Sequence, residues 1–240
     1  MSKLAIVAAL EREVRPLVKR WHVTEKNHAG RRFHFFEKED VVLVCGGIGP
    51  EAARRAAEAV IALYAPAMVF SAGFAGALGP SLKVGQVVQP RRVINAGDGS
   101  SVNLDHGDGI LITFGSVASP TQKAKLRDSF GAQAVDMEAA AVARAAEARG
   151  VVFGMVKAIS DDFDFIFPSM EDFVDSDGKF LEARFALFVA IRPWLWAKVF
   201  QLERNSKRAS VALCDWLRKL NVNQTVGSTD VHGLEAVDRR

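Results

Sequence analysis

Cysteine is scarce in this chain: Cys45 and Cys214 are the only two among 240 residues. So few, so far apart, supply neither a disulfide framework nor a four-cysteine zinc site, and a reducing, cytoplasmic setting is the expectation. Long apolar runs are missing too. No stretch approaches the ~18 apolar residues of a membrane span, and in the opening "MSKLAIVAALEREV" the apolar run meets Glu11, Arg12 and Glu13 at once. That run lacks a small-residue cleavage site and reads as a buried first strand. An excess of one charge is lacking as well. With 31 basic and 28 acidic residues interspersed along the chain, the net charge is +3, which gives no ground for nucleic-acid binding. Neither an internal repeat nor a low-complexity tract occurs.

What is present is core material. Hydrophobic residues make up 49% and charged residues 25%, which suits one large α/β domain, taken as 1–220, followed by a polar, loosely held tail at 221–240. Short β-rich runs recur at 3–9, 32–37, 40–45, 67–72, 86–94, 109–114 and 151–160, separated by Gly, Pro and helix-period stretches. Pro50 opens a helix over 50–65 with Ala53, Ala57, Val60, Ile61 and Tyr64 on one face. Helices are also predicted over 120–130 and over 138–149, the latter ended by Gly150. The Gly/Asp/Asn/Ser-rich stretch 95–108 reads as a surface loop. Segment 179–220 is aromatic and helical by pattern, with breaks expected at Pro193 and around Asn205–Ser206.

Five stretches carry chemistry, each with a plain structural alternative. "CGGIGPEAA" at 45–53 holds Gly47, Gly49 and Ala52 in a GxGxxA pattern. A dinucleotide reading is opposed by the hairpin-like runs before it and by the lack of an acidic partner near 70, which leaves a tight strand-to-helix turn or a turn lining some other pocket. "SAGFAGALGPSLKVGQVV" at 71–88 has Gly73, Gly76 and Gly79, where backbone approaches a ligand or simply turns. Glu11 and Glu13 begin a helix after the first strand, where the helix dipole alone favours acids. Asp136 and Glu138 flank Met137 at another helix start, where Asp136 can serve as the N-cap. Ser160 and Asp161 end the strand "VFGMVKAIS", at the kind of strand edge where α/β sheets bind ligands. Glu13, the 73–76 turn, Met137–Glu138 and Asp161 can all converge above one sheet edge.

The ordered set "AALEREV", "GGIGPEAAR", "SAGFAGALGPSLKVGQVV", "VDMEAAAVA" and "VKAISDDFD" resembles the nucleoside phosphorylase superfamily, and in motif the methylthioadenosine/S-adenosylhomocysteine nucleosidases. The likeness spans about 5–165. It implies a three-layer α/β/α sandwich around a mixed, partly barrel-like β-sheet. It also implies scission of the N-ribosidic bond of a 5′-substituted adenine nucleoside. By motif, Asp161 corresponds to the acid at purine N7, Glu138 to the ribose hydroxyl ligand, Met137 to the apolar floor under the sugar and Glu13 to the group that activates water. Gly73, Phe74 and Ser160 fall among the substrate-binding positions, and Phe114 is the aromatic available to stack on the base. No cofactor is implied. The expected partner is a small purine nucleoside, and the assembly a homodimer or higher homo-oligomer.

Departures from the pattern bear on the nucleophile. The arginine and serine with which the phosphorylases hold phosphate fall at Ser71 and Phe74, and a dianion without guanidinium forks is poorly held, which favours water. Arg12, Arg15, Arg31, Arg32 and Arg54 keep phosphorolysis open, with inorganic phosphate as co-substrate. The family's first acidic residue in this motif is Asp136 here, one methylene shorter. "SVASPTQKAKL", "FPSMEDFVDSDGKF" and "RPWLWAKVFQL" more loosely resemble hopanoid-associated phosphorylases, which implies a lipid-linked adenosine. Leu195, Trp196 and Phe200 beside Arg192 and Lys198 then read as peripheral membrane contact through 192–200, or else as core or dimer packing. A non-catalytic, nucleotide-binding regulator on the same fold is the rival from another class.

Overall fold

A computed structural model describes residues 3–165, 173, 175, 178, 180–190 and 192–220. The tail 221–240 and most of "FPSMEDFVDSDGKF" lie outside the described residues. The first half runs β1 (Leu4–Ala8), α1 (Glu11–Val18), β2 (His22–His28), β3 (Arg31–Lys38), β4 (Val41–Cys45), α2 (Pro50–Tyr64) and β5 (Met68–Ala77). It continues with β6 (Val87–Val88), β7 (Arg92–Asn95), β8 (Ser101–Asn103), β9 (Ile110–Thr113), α3 (Pro120–Phe130), β10 (Ala134–Asp136), α4 (Ala139–Glu147) and β11 (Val152–Asp161). Then come α5 (Glu182–Ala190), a 3-10 turn Pro193–Leu195 and α6 (Trp196–Lys219).

The strands form one mixed 11-stranded sheet in the order β2-β3-β4-β1-β5-β10-β9-β7-β8, with β11 paired to both β5 and β6. Side chains alternate across it, as pleating requires. Ala5 and Val7 of β1 and Val42 and Val44 of β4 pack toward α2 and α4, whereas Leu4, Ile6, Ala8 and Leu43 pack with residues of α1 and α6. That alternation makes the three layers. On the α2 side the contact surface is largely alanine, with Ala53, Ala56 and Ala57 meeting Val142, Ala145 and Ala146, so the helices come close.

Strand β5 is where the sheet branches. Along one edge it pairs with β11 from Met68 to Gly76. On the other edge β1 covers only Met68 to Ser71, and β10 covers only Gly76 and Ala77, antiparallel. Residues 72–75 are left with no strand on that side, and β1 and β10 both end at the opening. A gap between strand ends is the place where open α/β sheets take ligands.

Close packing of β5 on β11 makes one steric prediction. A Cβ on Gly154 would lie 2.6 Å from the Phe70 ring, and Phe70 is itself buried, its ring tilted against Trp216 with centroids 6.2 Å apart. Gly154→Ala is expected to destabilise the fold by about 1–3 kcal/mol, as overpacking does, measured as a lower midpoint in urea unfolding. An unchanged midpoint would show that the ring gives way freely.

Several boundaries differ from the sequence reading, for physical reasons. The run 86–94 is two strands, broken around Pro90, which supplies no N–H to a ladder. The stretch 95–108 is not loop throughout: β8 pairs with β7 as a short hairpin, too polar to show alternation. The same holds for β2, a polar edge strand paired with β3. No break occurs at Asn205–Ser206. Asn205 is buried and α6 runs unbroken through it, packed on α1 and β11, so tertiary contact overrides weak helix propensity. Leu195 is buried, so the exposed aromatic surface consists of Trp194, Trp196 and Phe200. Among the described residues no helix is long and apolar enough to cross a membrane.

Candidate active site

A cavity of about 350 Å³ lies at the opening beside β5, within the size range of small-ligand sites. Ala9 and Leu10 after β1, the α1 residues Arg12 and Glu13, Phe74 to Gly76 of β5, the 115–118 loop, Met137–Glu138 after β10 and Ser160–Asp161 of β11 all reach it. A larger cleft of about 510 Å³ beside Phe70, Val152 and Trp216 lies elsewhere, lined mostly by apolar side chains.

Glu13 sits in the first turns of α1 and is 6% exposed. Its carboxylate turns back to accept from Leu10 N at 3.4 Å. Burial raises its pKa above the ordinary carboxylate value, opposed by the cations Lys157 and Arg12 and by the N–H groups of Leu10 and Ala9. Gly73 lies directly under this group. A Cβ there would be 3.0 Å from Glu13 Oε2, so glycine makes room for the carboxylate although Gly73 itself is not on the cavity wall.

Glu138 closes the same end. Its Oε1 accepts from Gly49 N at 2.9 Å and its Oε2 from Met137 N at 3.2 Å. Gly49 has φ +96°, a conformation that aims its N–H at Glu138 and that other residues rarely adopt. Of the readings open for "CGGIGPEAA", the structure shows a strand-to-helix turn whose Ile48 and Gly49 line the cavity. Glu138 is pushed up to about 7 by burial first and then by the charge of Asp136, while Lys157 and the Gly49 N–H pull the other way.

Beneath these acids lies an ion pair that is hidden from solvent. Lys157 Nζ meets Asp136 Oδ2 at 2.8 Å, with side-chain exposures of 2% and 0%, and donates to Ser71 Oγ at 3.0 Å. Asp136 also accepts from Thr113 Oγ1 at 2.7 Å and from Ala139 N at 2.9 Å. The N-cap residue of α4 is Glu138 and not Asp136 as expected; Asp136 does accept from the first helical N–H, but its larger part is that of a buried counter-ion. Burial opposes the charge on Lys157, yet Asp136, Glu138 and Glu13 together raise its pKa.

At the other end, Asp161 terminates β11 over Gly76, where a Cβ would come within 2.8 Å of Asp161 Oδ2. Ser160 Oγ donates to Asp161 Oδ1 at 2.8 Å. Lys123, on α3 and only 4% exposed, forms an ion pair with Asp161 Oδ2 and donates to the Asp162 carbonyl at 2.7 Å. The carboxyl groups of Glu13 and Asp161 thus lie against positions 73 and 76 of β5, and both reach the same cavity.

The family model described as the phosphorylase superfamily matches residues 3–120 and 102–191. The chain belongs to this superfamily. A 5′-methylthioadenosine/S-adenosylhomocysteine nucleosidase of Bacillus pumilus is 26% identical over 200 residues, 66% of this chain and 85% of that one. An aminodeoxyfutalosine nucleosidase of Campylobacter jejuni is 24% identical over 229 residues, 78% of this chain and 97% of that one. A methylthioadenosine/S-adenosylhomocysteine nucleosidase from Colwellia psychrerythraea, solved with adenine, has a TM-score of 0.66 at 23% identity, covering 90% of this chain and 93% of that one. That last likeness concerns the fold, and the mixed sheet with helices on both faces agrees with it.

Within this superfamily fold, Glu13, Phe74, Met137, Glu138, Ser160 and Asp161 line one cavity. Phe114 does not. Strand β9 alternates so that Thr113 turns to Asp136, and Phe114 on the opposite face packs with the cluster of Leu78, Ile94, Ile112 and Leu126. The wall there is Gly115, Ser116 and Val117. Of the five arginines considered for phosphate, Arg12 alone reaches this cavity, while Arg54 is engaged by Glu51 and Glu58. Sequence reasoning missed Lys123 and Lys157. Lys157 had a signal, a lone cation inside the apolar run "VFGMVKAIS", whereas Lys123 on a polar helix had none. Among the described residues no group of three or more His, Cys, Asp or Glu could hold a metal ion.

Proposed function

We propose that this protein hydrolyses the N-ribosidic bond of an adenine nucleoside substituted at the 5′ position, the kind of substrate for which its nucleosidase relatives are named. The observation that carries this reading is that a buried glutamate, Glu13, a half-buried one, Glu138, and the Asp161–Lys123 pair all line one cavity. Glycosidic cleavage builds positive charge on the sugar and negative charge on the base, so anions belong at one end and proton donors at the other.

Glu13, its pKa raised by burial, is a stronger base toward water than an ordinary carboxylate. Glu138 has lone pairs beyond those used by Gly49 and Met137 and accepts from the ribose hydroxyls, with Met137 beneath the sugar. The carboxylate of Asp161 accepts from the exocyclic amine of adenine. A 6-oxopurine would set acceptor against acceptor there, which a site built of buried polar groups penalises strongly.

Arg12 on the cavity wall is the observation that favours the second reading, phosphorolysis of a similar nucleoside, lipid-linked or free. One guanidinium is a weak cradle for a dianion. Incubation with methylthioadenosine, S-adenosylhomocysteine and adenosine, with and without phosphate, is expected to release free sugar at a rate independent of phosphate. Sugar 1-phosphate formed only when phosphate is present would establish phosphorolysis instead. Tight binding without any base release would point to a regulator.

A further inference from the structure

Taking the leaving group to be a purine, as proposed above, we propose that Lys123 is a catalytic residue: its ammonium, held by Asp161, delivers the proton to the ring nitrogen N7 of the departing base. The resemblance assigns that proton to Asp161. In this structure both oxygens of Asp161 are already acceptors, Oδ1 from Ser160 and Oδ2 from Lys123. A carboxylate in an ion pair has no proton of its own to give, whereas its partner has three.

The lysine is placed with some care. A capping box at the start of α3, with Ser119 N donating to Gln122 Oε1 at 2.8 Å and Gln122 N to Ser119 Oγ at 3.3 Å, fixes the first turn. Lys123 follows at once and faces inward, 4% exposed on a helix whose other lysine, Lys125, is exposed. Its Nζ gives one proton to Asp161 and one to the Asp162 carbonyl. Among the described residues the third has no protein acceptor, and Lys123 is part of the cavity wall. Burying an ammonium with one donor left over makes physical sense where a ligand supplies the missing acceptor.

The step balances. The C1′–N9 bond breaks with its electron pair going to the base, and an Nζ–H bond breaks with its proton going to N7 and its pair remaining on Nζ. The oxygen of water bonds to C1′, and the proton that water loses goes to Glu13. After release Lys123 regains a proton from solvent and Glu13 returns one, so nucleoside and water become free base and sugar.

Lys123→Gln and Lys123→Arg test the assignment against a role as mere counter-ion for Asp161. Gln keeps hydrogen bonding without an acidic proton, and Arg keeps the cation but does not deprotonate in proteins. Both are expected to lower kcat about 10²–10⁴-fold with KM within a few-fold. The ratio of wild-type to variant kcat is expected to shrink as pH falls, because hydronium replaces the missing acid while any loss at Glu13 cancels from the ratio. If Gln impairs folding, seen in its melting curve, the Arg variant alone decides. Restoration of activity by Arg, a rise in KM at unchanged kcat, or a ratio independent of pH would overturn the assignment. Failure of the wild-type protein to release base from any adenine nucleoside would overturn the hydrolase reading itself, and this one with it.

Discussion

A Glu13→Gln variant is expected to bind adenine nucleosides with a KM within a few-fold of wild type and to turn them over about 10²–10⁴-fold more slowly, the usual contribution of a positioned base. The substitution keeps the shape of the side chain over Gly73, where any bulkier neighbour would crowd Glu13 Oε2, and it removes only the group that takes the proton. Burial raises the pKa of Glu13 against the pull of Lys157 and Arg12, so the wild-type rate should fall with decreasing pH at values above the ordinary carboxylate range. Glu138, pushed up to about 7, contributes to the same acidic limb, so the pair titrates jointly. The linkage to stability has a definite sign. With its folded pKa raised, Glu13 contributes stability that is fully present below the unfolded carboxylate value and lost as pH rises through the folded one. At neutral pH the Gln variant should therefore melt no lower than wild type. Steady-state kinetics over pH together with a melting curve check both parts, and a loss in kcat of less than about ten-fold would remove Glu13 from the role of base.

Lys157→Met is expected to destabilise the protein by about 3–5 kcal/mol, a drop in Tm of roughly 6–20 °C for a domain of this size. The lysine neutralises Asp136, whose side chain is 0% exposed, and it is also the cation that offsets Glu13 and Glu138. Its removal strands a carboxylate in the core with only Thr113 and Ala139 as donors. The double variant Lys157→Met/Asp136→Leu removes both charges and should recover much of the lost stability, since a buried pair replaced by apolar groups is often neutral. It should not recover activity, because Glu138 would still lack its cation and Glu13 would keep only Arg12. Thermal denaturation of the three proteins decides the matter: a single variant melting within about 2 °C of wild type would show that the pair is not a stability element.

Local sequence was informative wherever chemistry and backbone lie together in the chain. Glu13 follows its strand by a few residues, Met137 and Glu138 occupy a strand-to-helix junction, and Ser160–Asp161 end a strand, so short motifs were enough to mark them as candidates. Phe114 was misplaced because its side depends on the register of β9 against β10, which pairs Thr113 with Asp136 and is invisible along one strand. Weak propensity at Asn205 suggested a helix break, but α6 gains its stability from packing on α1 and β11.

By itself the sequence determined a mixed α/β chain, its main buried strands and helices and the acidic residues at their ends, because hydrophobic period, capping and glycine turns act within a few residues. Tertiary structure alone decided that β1 and β10 leave one edge of β5 open at 72–75. It alone brought Lys123 to Asp161, 38 residues away, and Lys157 to Asp136. The reason is physical: the state and use of a buried charge are set by the opposite charge beside it and by the water excluded around it, and both are properties of packing across the sheet.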